Sequence, residues 1–250
     1  MKCMVFASRN FKEIIRDPLS WIFCVGFPIV MLVIMTVINN SIPAQAGMTL
    51  FELPKLVPGI IVFGFTFITL FTSLLVSGDR KDAFLLRIYT SPMRSSDYII
   101  GYILPLVLLA FCQCLLTVVV GLLMGIGQDF SISLKGILLL IVSSIPTVLM
   151  LVGFGLMFGA LLNYNAAPGV SSVIITFSGM LGGIWMDVEA IGGTLGKICN
   201  ALPFCHSVQA ARYAFSGEAS ACFEQTGIVL IWAAAVLVIA VLVYGAKMKF

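Results

Sequence analysis

The stretch GDRKDAFLLRIYTSPMRSSDY, residues 78–98, decides how the rest of the chain is read. It sets Arg80, Lys81, Arg87 and Arg94 against Asp79, Asp82 and Asp97, and it is the most charged internal segment of a very apolar protein. A long apolar segment lies on each side of it. Residues 82–91 have room for about two to three helical turns before Pro92. Phe84, Leu85, Ile88 and Tyr89 share a broad apolar face there, with Arg80 and Arg87 along a neighbouring edge. An apolar face beside cations suits a groove on a soluble partner. The insert is therefore placed to take mechanical work from another protein and pass it to the apolar segments. From these residues alone, a plain connection whose arginines only set topology fits equally well.

Working outward, 60% of the 250 residues are hydrophobic and 10% are charged, with a mean hydropathy of +1.12. An average soluble domain has about 25% charged residues. One globular core cannot hide this much apolar side chain, so lipid is the solvent for much of it. The net charge of +3 is too small to imply a nucleic-acid partner.

At the N-terminus, Met4, Ala7, Phe11, Ile14 and Ile15 fall within one helical arc, opposite Lys2, Arg9, Lys12, Glu13 and Arg16. Val5 and Phe6 interrupt that pattern. This reads as an amphipathic helix over residues 2–17 lying on a membrane surface and closed by Pro18. Apolar runs then follow at about 19–38, 56–76, 99–126, 135–162, 167–185 and 226–246. About 20 residues at 1.5 Å each cross a hydrocarbon core. The expected fold is a single all-α polytopic membrane domain of six spans, with the first span retained rather than cleaved as a signal. Residues 186–225 are too interrupted to span and suit two short helices dipping into the outer leaflet, or an exposed cap.

With both ends on one side, ten of the 14 basic residues share that side with residues 78–98. Lys55, Lys135, Lys197 and Arg212 lie on the other. The positive-inside rule then puts both termini in the cytoplasm.

Three small-residue stripes stand out: Thr66, Thr69, Ser73 and Ser77; Ser172, Thr176, Gly179 and Gly183; and Gly155 with Gly159. Each either lines a path or lets helices approach closely, and the second also suits a subunit interface. The span cores carry no Asp, Glu, Lys, Arg or His, which argues against ion coupling by side chains at mid-membrane. No P-loop is present. The Gly196-Lys197 pair has Ile191 where the first glycine should stand and Ile198 in place of the hydroxyl. His206 is the single histidine, and no catalytic or metal-ligating set is visible. Cys199, Cys205 and Cys222 share the long outer segment, where one disulfide could form.

The order of parts resembles the type-2 ABC-transporter permease family, the membrane subunits of bacterial exporters of drugs and antibiotics. An N-terminal helix runs through Phe11, Ile15 and Arg16 and ends Arg16-Asp17-Pro18; the charged insert ends Thr90-Ser91-Pro92; and GGIW…ALPFCHSVQAARYAFSG precedes the last span. Family inserts often read like E-R-E-x-G-T-L-E-x-L-x-x-[ST]-P. Here Arg80, Leu85, Ser91 and Pro92 match and Asp79 is a conservative match, whereas Lys81, Ala83, Phe84 and Leu86 depart.

The resemblance implies a separate cytoplasmic ATP-binding subunit carrying ATP and Mg, and a second permease subunit, identical or related. It also implies a bacterial plasma-membrane location and an elbow role for residues 2–17. Residues 78–98 would form a coupling helix, with Arg80, Asp82, Phe84, Leu85, Arg87, Ile88, Tyr89 and Pro92 meeting the ATPase. Uncharged spans suit an amphiphilic cargo: a drug, antibiotic, peptide or lipid. The competing readings are an ion-coupled carrier and a non-transporting scaffold or immunity protein.

Overall fold

A computed structural model describes residues 2–41, 49–81, 95–126, 130–186, 188 and 192–247. Among these every regular element is a helix. The helices are α1 (Lys2–Arg16), α2 (Pro18–Ser41), α3 (Leu53–Lys81), α4 (Ser95–Met124), α5 (Leu134–Leu161), α6 (Ala167–Leu181), α7 (Gly193–Ala201), α8 (Pro203–Ser216) and α9 (Ala219–Lys247). Five of them, α2, α3, α4, α5 and α9, are long and apolar enough to cross a membrane. The run expected over 167–185 is helical only to Leu181, and the remainder turns at Gly183, which takes a left-handed φ of 73°.

α3 is the hub. In its most apolar stretch 89% of residues are buried, against 22% in α2 and 28% in α9. A hydrophobic helix buried all round sits at the centre of its bundle, and one buried on a single stripe sits at the rim. The hydroxyl stripe on α3 explains how neighbours come so close. Thr69 Oγ1 donates to the Leu151 carbonyl of α5 at 3.0 Å, and the Ser73 and Ser171 hydroxyls of α3 and α6 meet at 2.8 Å. Facing them, a Cβ on Gly155 would lie 2.7 Å from the Thr69 carbonyl oxygen, and one on Gly159 2.6 Å from the Val76 Cβ. Bare glycine faces let the α3 and α5 backbones approach, as small residues do in membrane bundles.

α1 packs on α4 by a face that shares Ala7 and Ile14 with the apolar arc and adds Phe6 and Asn10. Phe6, Ala7, Asn10 and Ile14 are buried, while Met4 and Ile15 are exposed. Phe6, which seemed to spoil the amphipathic pattern, is the anchor. Its ring occupies the space where a Cβ on Gly101 would stand, edge-on to Tyr98 and Tyr102 at 5.8 and 5.0 Å between centroids. The phase of α1 is set by a glycine notch nearly a hundred residues away, which hydropathy alone does not reveal.

At the junction with α2, the Asp17 carboxylate accepts from the Leu19 and Ser20 amides, and Pro18 occupies the first helical position. Pro18 therefore opens α2 as much as it closes α1. α2 also contains a π-helical stretch, Ile22–Gly26, which periodicity did not foretell.

Two short helices, α7 and α8, precede α9. α8 ends at Gly217, whose φ of 79° lets the Glu218 amide reach the Tyr213 carbonyl at 3.0 Å. α8 packs against α3, α5 and α9, with Val208 and Ala214 fully buried. Cys199, Cys205 and Cys222 are all buried.

Candidate coupling site

The charged insert begins later than its composition suggests. Helix α3 runs on to Lys81 and α4 starts at Ser95, so Asp79, Arg80 and Lys81 form the last turn of a helix rather than a loop. Each of these side chains reaches a different element.

Asp79 turns inward and is 3% exposed. Arg9 of α1 meets it with both guanidinium arms, Nη1 to Oδ2 at 2.9 Å and Nη2 to Oδ1 at 2.7 Å. Tyr102 of α4 donates its hydroxyl to the same Oδ2 at 2.7 Å. Arg9 also reaches Glu13 at 2.9 Å and the Asn10 side-chain oxygen at 2.9 Å. Asn10 in turn donates to the Gly101 carbonyl at 3.0 Å. Burial pulls the pKa of Arg9 down, but the hydrogen bond and charge of Asp79, aided by Glu13, push it above the ordinary value. The guanidinium is therefore a permanent cation. A buried carboxylate is costly unless paired and hydrogen-bonded; here a planar fork and a phenol supply both.

Arg80 turns the other way. Its Nη1 donates to the carbonyls of Gly159 at 3.0 Å, Ala160 at 2.7 Å and Leu162 at 3.2 Å. These are carbonyls at the C-terminus of α5, which helix geometry leaves without partners and which carry partial negative charge. Lys81 then sits 5.1 Å from the ring centroid of Tyr164, in the turn between α5 and α6. One helical turn thus ties α1, α4, the end of α5 and the start of α6.

Of the residues expected to meet an ATPase, Arg80 caps α5. Asp82, Phe84, Leu85, Arg87, Ile88, Tyr89 and Pro92 lie outside the described residues. Of the expected elbow residues, Phe11 is half-buried, Ile15 and Arg16 are exposed, and Asp17 and Pro18 form the start of α2. Thr66, Thr69, Ser73 and Ser77 are buried in the α3 core, with Thr66 and Ser77 bonding back to the Phe63 and Leu74 carbonyls at 2.6 and 3.3 Å. Ser172 and Thr176 are exposed on α6 and bond to the Gly169 and Ser172 carbonyls. Sequence reasoning missed the joint role of Arg9, Asn10 and Tyr102. The available signal was a single Asp inside what proves to be a helix, with Arg-Asn on an amphipathic helix to answer it.

At the opposite end of the bundle, Arg212 of α8 donates to the Gly183 carbonyl at 2.9 Å and the Lys55 carbonyl at 3.4 Å. Both line a cavity of about 540 Å³ together with Phe130, Gln209 and Tyr213. His206 joins the end of α7 to α9, its ring nitrogens 2.9 Å from the Asn200 carbonyl and 2.6 Å from the Gln225 side chain.

The chain matches one family model over residues 1–216, described as ABC-2 type transporter. The chain belongs to the ABC-2 type transporter family. A search of curated proteins found no match. ABC-2 permeases are the non-enzymatic membrane components of their transporters and associate with an ATP-binding subunit. The chain is accordingly a multi-pass membrane protein of an ABC transporter.

Proposed function

We propose that this chain is the membrane half of an ATP-driven exporter, with residues 82–94 receiving the stroke of a soluble ATP-binding subunit that carries ATP and Mg. The observation that carries the reading is the last turn of α3. A push on the segment that follows Lys81 acts on a turn already bonded to α1 and α4 through Asp79 and to α5 through Arg80. Such a junction moves as one body, so the displacement spreads to several helices at once and biases the bundle between access states.

The finer points follow from the same reading. The end that bears α1 and residues 82–94 faces the cytoplasm of a bacterial cell, in line with the ten basic residues on that side. α6 supplies a sixth crossing. It starts beside Tyr164 at this end and finishes at Gly182 and Gly183, beside Arg212 at the other. At about 22 Å it is short for a full span, and the turn of residues 182–186 makes up the difference. α7 and α8 re-enter the outer leaflet. The exposed face of α6, with Ser172, Val173, Thr176 and Phe177, meets a second permease subunit. The cargo is amphiphilic, because the span cores offer it no charge.

The test is reconstitution of the permease in vesicles with the ATP-binding protein encoded beside it. Permease-dependent ATP hydrolysis and ATP-dependent efflux of an amphiphilic dye are expected, and both should fall in a Phe84→Ala, Arg87→Ala, Ile88→Ala variant. Efflux that follows an ion gradient and ignores the ATPase would make the chain a carrier. No association and no movement would make it a scaffold.

A further inference from the structure

We infer that the outward face of α1 binds the headgroup of an anionic phospholipid, held by Lys12 and Arg16. This rests on the reading of α1 as a helix lying on the membrane surface. Lys12 and Arg16 are one turn apart on α1 and both are exposed. The carboxylates beside them are already engaged. Glu13 bonds Arg9 at 2.9 Å, and Asp17 accepts from the Leu19 amide at 3.2 Å, the Ser20 amide at 3.1 Å and the Ser20 hydroxyl at 2.6 Å. Among the described residues neither Lys12 nor Arg16 makes an ion pair. Among the described residues, two cations therefore stand one turn apart with no carboxylate paired to them.

The surface around them has the layout of a lipid molecule. Along α1, Met4 and Val5 are 63% and 72% exposed, and they line an open groove with Ser8, Lys12, Arg16 and Pro18, together with Arg9 and the engaged carboxylates Glu13 and Asp17. Beyond Pro18, Leu19, Trp21 and Ile22 present exposed apolar side chains at the start of α2. The Trp21 indole N–H donates to the Ile15 carbonyl at 2.9 Å and so fixes the last turn of α1 against the first turn of α2. Tryptophan at a span end marks the headgroup level of a bilayer. This places Lys12 and Arg16 at phosphate height, with acyl chains running down past Leu19, Trp21 and Ile22. A soluble acidic protein would match the cations but not the apolar strip below them. An anionic lipid matches both, and each cation near an anionic surface favours it about fivefold.

The experiment uses the full-length protein with Trp185→Phe and Trp232→Phe, which leaves Trp21 as the sole tryptophan of three. It is placed in bilayers of phosphatidylcholine with a minor share of phosphatidylglycerol, with brominated acyl chains on one lipid or the other. At equal mole fraction, brominated phosphatidylglycerol is expected to quench Trp21 more strongly. That preference should drop about 25-fold in Lys12→Gln, Arg16→Gln and survive in Lys12→Arg. Equal quenching by both lipids, or a preference the double variant keeps, overturns the lipid site while leaving α1 on the membrane. Absence of quenching by either lipid overturns the surface placement of α1 and the site with it. A double variant that keeps its lipid preference but no longer retains the ATP-binding subunit assigns the basic face to that protein and overturns the proposal.

Discussion

Asp79 and Arg80 are adjacent in sequence and pull in opposite directions: Asp79 binds Arg9 and Tyr102 on α1 and α4, and Arg80 caps α5. On a helix, successive side chains are 100° apart. Two charges of opposite sign at the end of a central helix can therefore fasten it on two sides. Neither bond is a surface ion pair of small value. One is a buried carboxylate with three donors, and the other satisfies helix-end carbonyls.

The Arg9–Asp79 pair should show strong coupling in a double-mutant cycle. Asp79→Ala leaves the Arg9 cation to Glu13 and Asn10 and strands the Tyr102 hydroxyl. Arg9→Ala leaves a buried carboxylate with Tyr102 as its remaining strong donor. Each single change is expected to destabilise by about 2–3 kcal/mol, below the value for a fully buried pair because Arg9 is partly solvated. The double variant should cost less than the sum, by a coupling of about 1–3 kcal/mol. Thermal unfolding in detergent measures all three, and additive costs would deny that the two side chains act as a unit.

Arg80 yields a prediction that separates capping from charge recognition. All three of its bonds to α5 come from one nitrogen, Nη1. A lysine ammonium carries three donors and can stand in for that nitrogen. Arg80→Lys should therefore keep most of the stability, whereas Arg80→Ala should lose about 1.5–3 kcal/mol. If lysine fails as badly as alanine, the planar fork is needed elsewhere, as on an ATPase surface.

Much of this architecture was legible in the apolar runs, because a helix that must cross lipid announces itself by length and composition alone. The runs expected at 19–38, 99–126 and 135–162 fall within or nearly within α2, α4 and α5. What stayed hidden depends on partners distant in sequence. Asp79 looked like a loop charge because nothing near it in sequence reveals Arg9, 70 residues away. The end of α6 was misplaced because a left-handed glycine at 183 stops a helix that hydropathy would continue to Trp185. The stripe on α3 was seen, but its hydrogen-bond partners, the Leu151 carbonyl and the Ser171 hydroxyl, lie on other helices far away in sequence.

The phase of α1 can be checked by two truncations of similar size. Phe6→Ala empties a pocket between Gly101, Tyr98 and Tyr102 and is expected to cost about 3–5 kcal/mol. Met4→Ala, on the exposed face, should stay within about 0.5 kcal/mol. Equal costs would deny that Phe6 anchors α1 on α4, so the difference in apparent Tm checks the phase of the helix.

Two glycines test how α5 and α6 are used. A Cβ on Gly155 would press on the Thr72 side chain and the Thr69 carbonyl, so Gly155→Ala should destabilise the chain by about 1–3 kcal/mol. A Cβ on Gly169 meets nothing within 4 Å, so Gly169→Ala should be neutral or stabilise α6 by up to about 1 kcal/mol. That expectation concerns the single chain. If the exposed face of α6 packs on a second subunit, a bulky change there must act on assembly instead. Thr176→Trp, on the same exposed face, should then leave thermal unfolding of the dissociated protein unchanged. It should also shift the detergent-solubilised complex from two permease subunits to one, as read by light scattering on a sizing column. An intact pair in Thr176→Trp would move the subunit interface off α6. A fall in single-chain stability would mean that this face is covered within one subunit, against the exposure of Ser172, Thr176 and Phe177 seen here.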